Sequence, residues 1–125
     1  TLTVMDFYRN LAAELGAVPA HRKTENFKLI QDEINRLAIE KRQTPVIIMD
    51  EATSAMDYES EAAVRSAIAQ LKGQTTVVII AHRLATVRTA ERVLVLQDGM
   101  ITEDGTLQEL AIHPNGYLNK LLYMD

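Results

Sequence analysis

The chain has 125 residues, 47% hydrophobic and 24% charged, which suits one domain with one hydrophobic core. A formal charge of −4 and a pI near 5.3 offer no basic surface for nucleic acid, and the lack of cysteine excludes disulfides and thiolate metal sites. The longest apolar runs, such as Val77 to Ala81, fall far short of the ~20 residues that cross a bilayer, and no signal-peptide pattern opens the chain, so a cytoplasmic location is expected. The chain does not begin with methionine and reads as a fragment or a processed product.

The first stretch, "TLTVMDFYRNLAAELGAVPA", predicts a helix. Thr3 is placed to cap it, with Asp6 three residues on in a capping-box position. Val4, Phe7, Leu11 and Leu15 recur at helical spacing, and Gly16 suits the stop. A second helix is expected from about Thr24, as N-cap, to Lys41, with Phe27, Ile30, Ile34, Leu37 and Ala38 as its apolar stripe. Lys41 and Arg42 favour the carboxyl end of its dipole.

Pro45 to Met49 is an unbroken, mostly branched apolar run, which predicts a strand buried on both faces. After a loop to Asp57, Tyr58 to Leu71 reads as a helix, and Gly73 ends it. Thr75 to Ala81 is a second buried strand, so the two strands should be parallel within a βαβ unit. "RLATVRTA" is a helical turn. "RVLVLQDGMITEDG" then predicts a hairpin about Asp98-Gly99, with Arg92 to Leu96 and Met100 to Glu103 as its arms. Helices are expected from Thr106 to Ala111 and from about Gly116 to Tyr123. The predicted fold class is α/β: a single domain with a small, mostly parallel sheet, a closing hairpin and flanking helices.

In an open parallel sheet, ligands bind beyond the carboxyl ends of the strands. Asp50 and Glu51 lie at that end of the first strand, and His82 at that end of the second. A phosphoryl-transfer site would use Asp50 to hold magnesium through water, Glu51 to orient or deprotonate the attacking water, and His82 to bond the terminal phosphate. The same residues have plainer readings. Strands must end in something polar, and a lone histidine after a strand is commonly a structural hydrogen bonder. Asp57, Glu59 and Glu61 also answer a helix dipole. His21 and His113 lie in unrelated segments and give no zinc-ligand spacing with His82.

From residue 50 onward, "DEATSAMDYESEAAVRSAIAQLKGQTTVVIIAHRLATVRTAERVLVLQDGMITEDGTLQEL" resembles the carboxyl-terminal half of the nucleotide-binding domain of an exporter-type ABC transporter. "IIMDEA" is similar to its Walker B strand, which implies Glu51 as the catalytic glutamate and Asp50 as the magnesium-linked carboxylate. "SAMD" is similar to the D-loop, so the resemblance implies a partner-subunit contact at Ser54, Ala55, Met56 and Asp57. "AHR" places His82 as the switch histidine. The family implies ATP and magnesium as cofactors, a transporter membrane domain as partner, and the cytoplasmic face of a membrane as location. Residues 1–49 instead resemble AAA-type ATPases of the transposition-helper and general-secretion group, where two helices precede a strand ending in DEA. The chain therefore reads as a chimera of two P-loop ATPase families joined at Walker B.

The five glycines, Gly16, Gly73, Gly99, Gly105 and Gly116, never form G-x-x-x-x-G-K-[ST], and the Q-loop and the LSGGQ signature are absent as well. Without the amides and lysine of that cradle, the carboxylates repel a nucleotide, so the isolated chain is expected to be inactive as an ATPase. The alternatives are a folded, non-catalytic chimera that mainly self-associates and a fragment of a AAA-type helper. Lacking a P-loop strand, Thr75 to Ala81 should have a free edge or take the hairpin as neighbour. A homo-oligomer or swapped dimer is expected, with no nucleic-acid partner.

Overall fold

A computed structural model describes residues 3–50 and 58–124. The chain divides into two compact units, residues 1–80 and residues 81–125.

The first unit holds α1 (Val4–Glu14), α2 (Lys23–Glu40), β1 (Val46–Asp50), α3 (Tyr58–Leu71) and β2 (Thr76–Ile80). Helix α1 starts as its sequence requires: the Thr3 side chain accepts from the Asp6 N–H, and the Asp6 carboxylate accepts from the Thr3 N–H at 2.9 Å. Gly16 then takes a φ of 90°, a left-handed turn that suits glycine. Tyr8 and Ala12 of α1, Ile30 and Ile34 of α2, Ile47 of β1, and Ala67 and Leu71 of α3 form one core. Phe7 and Phe27 each meet the Tyr8 ring in an edge-on arrangement, at centroid distances of 5.7 and 5.8 Å.

Helix α2 begins two residues earlier than its sequence suggests. Its N-cap is Arg22, which makes no side-chain capping bond, while Thr24 lies inside the first turn. The turn before it is fixed by Asn26, which is fully buried. Asn26 Oδ1 accepts from the Ala20 N–H at 2.7 Å, and Nδ2 donates to the Ala20 carbonyl at 2.9 Å. At the other end, Arg42 adopts a φ of 52°, where glycine is the usual residue.

Strands β1 and β2 are parallel, in register from Val46 opposite Thr76 to Asp50 opposite Ile80. The Thr75 hydroxyl bonds the Pro45 carbonyl where the pair begins. The expected burial on both faces is not found. Ile47, Met49 and Val77 pack on the core, whereas Ile48 is 69% and Ile80 51% exposed, with Val46 and Val78 beside them. Two strands have too little width to be sandwiched, and helices α1 to α3 contribute their apolar side chains to one face alone.

The second unit holds α4 (Leu84–Val87), β3 (Val93–Gln97), β4 (Met100–Gly105), α5 (Leu107–Ala111) and α6 (Tyr117–Met124). Asp98 and Gly99 both take positive φ, 52° and 77°, as a tight hairpin turn demands. Val93, Val95, Leu110 and Leu118 form its core. Thr106 caps α5 by accepting from the Glu109 N–H. Helix α6 is capped from the hairpin: Glu103 Oε2 accepts from the N–H groups of Tyr117 at 2.8 Å and Leu118 at 3.3 Å. Glu103 Oε1 is buried without a partner, a cost offset by the carboxylate's place at the positive end of the helix. Among the described residues, the expected single, mostly parallel sheet is instead two two-stranded sheets, β1-β2 parallel and β3-β4 antiparallel. The fold class is mixed α/β with small sheets.

Candidate functional site

The parallel register of β1 and β2 decides where the first candidate residue lies. Pairing Asp50 with Ile80 brings both strands to an end at the same level. The Asp50 carboxylate therefore stands at the carboxyl edge of the pair and is exposed. It interacts with neighbouring groups, so it is not a bare charge. Apolar β-branched residues dominate both strands, which is why they pair, and the first acidic residue marks where pairing stops.

His82 follows β2 by two residues, is exposed, and also has interaction partners. It belongs to the second unit, whereas Asp50 belongs to the first. Glu51, Ser54, Ala55, Met56 and Asp57, the expected water-activating glutamate and partner-contact loop, lie outside the described residues.

Among the described residues no group of three or more histidine, aspartate or glutamate side chains converges as a metal cage. Magnesium is commonly held by one or two carboxylates together with substrate phosphates and water, and a single exposed carboxylate at a strand end fits that arrangement.

The apolar periodicity of the sequence passed over one further place. Helix α2 opens at "HRK", with Arg22 as N-cap and Lys23 as its first residue. These positive charges oppose the helix dipole, while Glu25 in the same first turn answers it. That mismatch is a signal visible in the sequence, obscured by the nearby Thr24, which looks like a cap.

No protein-family model matches the chain. It is 51% identical to an ATP-dependent lipid A-core flippase of Photobacterium profundum, over 97% of this chain and 21% of that protein. It is 47% identical to the β-(1→2)-glucan export ATP-binding/permease protein NdvA of Rhizobium johnstonii, over 76% of this chain and 16% of that protein. The chain thus spans about a fifth of the length of the curated relatives it matches. Among solved structures, a bacterial Atm1-family ABC exporter with ATP bound matches with a TM-score of 0.58 at 22% identity, over 97% of this chain and 23% of that one. That likeness supports the fold. The relatives are ABC exporter proteins, and the chain is of ABC transporter-related lineage. No helix among the described residues is long and apolar enough to cross a membrane.

Proposed function

We propose that this chain carries the carboxyl-terminal half of the ATP-hydrolysing site of an ABC exporter. The observation that carries the proposal is the parallel register of β1 and β2, which puts Asp50 at the carboxyl edge of the strand pair. In this reading Asp50 holds nucleotide-bound magnesium through water. Glu51 orients the attacking water, and His82 bonds the terminal phosphate. Ser54, Ala55, Met56 and Asp57 meet a partner subunit, and a transporter membrane domain receives the work. Magnesium supplies charge neutralisation at the phosphates when it is bound.

The chain alone does not turn over ATP in this proposal, because it contains no phosphate cradle. Losing one transition-state donor costs roughly 3–4 kcal/mol, and here the whole cradle is missing. Steady-state turnover that rises with magnesium and disappears in Glu51→Gln would refute this. Calorimetric titration with magnesium-ATP, with Asp50→Asn as control, tests the half-site: micromolar binding lost in that variant would restore an enzyme acting by itself.

The exposed face of β1 and β2 supports self-association as the second part of the proposal. On lineage, one reading joins a AAA-type helper segment, residues 1–49, to the ABC-like remainder. A single ancestry is favoured by the flippase alignment over 97% of the chain and by one core drawing on Ile30, Ile34 and Ile47 together with Ala67 and Leu71. Separate expression of residues 1–49 and 50–125 distinguishes the two. A shared core leaves residues 1–49 unfolded when expressed without α3 and β2, and a 1–49 piece that folds by itself would favour the join.

A further inference from the structure

We propose that the Asn115-Gly116 peptide is a site of covalent self-modification, in which Asn115 loses ammonia through a cyclic imide and the isoaspartyl product frees helix α6 from Glu103. Of the chain's five asparagines, Asn115 alone precedes glycine; Asn10, Asn26, Asn35 and Asn119 precede leucine, phenylalanine, arginine and lysine. That neighbour matters because the attacking atom is the next residue's backbone nitrogen, and glycine has no Cβ to block its approach. The structure leaves the Asn115 side chain available. Asn115 is exposed in the turn before α6, with a φ of 79°, and its amide makes no hydrogen bond among the described residues. Asn26 and Asn119 differ. Both polar atoms of the Asn26 amide bond Ala20, and Asn119 Nδ2 bonds the Ala111 carbonyl.

The bonds balance with water as the sole reagent. The Gly116 nitrogen gives up its proton and attacks Asn115 Cγ. The new N–Cγ bond closes the imide ring, and the Cγ–Nδ2 bond breaks to release ammonia, which carries the proton away. Water then opens the ring. Cleavage of the N–Cγ bond gives aspartate in the ordinary linkage. Cleavage at the main-chain carbonyl gives isoaspartate, with an extra atom in the backbone. In the native turn the Gly116 N–H donates to the His113 carbonyl at 3.2 Å, so attack requires that turn to open. Glu103 opposes the opening, because its Oε2 accepts from the N–H groups of Tyr117 and Leu118 just beyond. The product acts on the same contact. A Cβ on Gly116 would lie 2.6 Å from Glu103 Oε1 and 3.3 Å from the His113 carbonyl oxygen, so the backbone is tightly enclosed there. An added main-chain atom beside Gly116 displaces it from Glu103 and strips the cap from α6.

The test incubates the full chain in mildly alkaline buffer and follows it by peptide mass mapping, with fragmentation that separates aspartyl from isoaspartyl products, and by amide hydrogen exchange. Conversion confined to Asn115 is expected, faster at higher pH because the attacking nitrogen must lose a proton. Glu103→Ala should speed it roughly two- to thirtyfold, the range set by losing a helix cap. Purified isoaspartyl chains should exchange the Tyr117 and Leu118 amides about tenfold faster than the parent, as for loss of hydrogen bonds to a charged group. Asn115→Asp adds the charge without the extra atom and should exchange them at the parent rate. An Asn115 that keeps its amide, a rate unchanged in Glu103→Ala, or equal exchange in isoaspartyl and parent chains would each overturn the proposal. Faster exchange in Asn115→Asp would overturn it as well, because charge alone would then account for the release of α6.

Discussion

Removing the Asn26 amide should destabilise the first unit more than any exposed polar substitution. Its two bonds to Ala20 close the turn that leads into α2, and the side chain is fully buried. Each such bond contributes a net ~0.5–1.5 kcal/mol, and a buried group left unpaired adds ~1–3 kcal/mol. Ala20 is half-buried, so water recovers part of that second cost. Asn26→Ala should therefore cost about 2–4 kcal/mol, a large share of the ~5–15 kcal/mol that holds a typical domain together. With a urea slope of ~2 kcal/mol per molar, the midpoint should fall by roughly 1–2 M in far-ultraviolet circular dichroism. Asn26→Asp sharpens the test. Its carboxyl can still accept from the Ala20 N–H, but when ionised it faces the Ala20 carbonyl without a donor. Burial and that carbonyl raise its folded pKa, so its stability is greatest below the ordinary value of ~3.9 and is lost as pH rises through the folded pKa. A midpoint change under ~0.3 M in Asn26→Ala, or no pH dependence in Asn26→Asp relative to it, would refute the reasoning.

In the hairpin, Arg92 grips Asp104 with two bonds, Nε to Oδ1 at 2.7 Å and a terminal nitrogen to Oδ2 at 2.5 Å, and holds that carboxyl below its ordinary pKa. Asp104 therefore adds stability above its unfolded pKa that is lost as pH falls through the folded one. Arg92→Ala should return Asp104 to the ordinary carboxylate range in a side-chain carbonyl NMR titration, and an unmoved value would show that Arg92 is not the cause. A Cβ on Gly116 would lie 2.6 Å from Glu103 Oε1, so Gly116→Ala should cost ~1–3 kcal/mol in urea unfolding. Glu103→Ala, which strips the cap from α6, should cost ~0.5–2 kcal/mol, and a neutral result in both would remove Glu103 as the anchor of that helix. Ile48→Lys with Val78→Lys should abolish concentration-dependent association in light scattering while leaving circular dichroism unchanged. A parent chain that stays monomeric at every concentration would count against the sheet face as the contact.

Much of the local structure was legible in the sequence because it depends on residues close together. The Thr3–Asp6 capping box, the stop at Gly16, the helix from Tyr58 to Leu71 and the turn at Asp98-Gly99 all rest on neighbours within one or two turns of chain. Periodicity also found Ile30 and Ile34 but missed Tyr8 and Asn26, because a polar residue enters a core only when a partner outside its own helix or neighbouring rings receive it. Of the candidate site, the sequence supplied every residue name, and pairing supplied the common level of Asp50 and Ile80.

By itself the sequence determined the order of helices and strands, the parallel pairing expected of a βαβ unit, and the wording of the Asp50 and His82 segments. Only the tertiary structure decided that the apolar strands are covered on one face, because burial depends on how many elements arrive and not on how apolar a strand is. It also decided that α2 opens at Arg22 without a side-chain cap. A helix start is fixed by which backbone groups the preceding turn can reach, and Asn26, bonding back to Ala20, sets that turn.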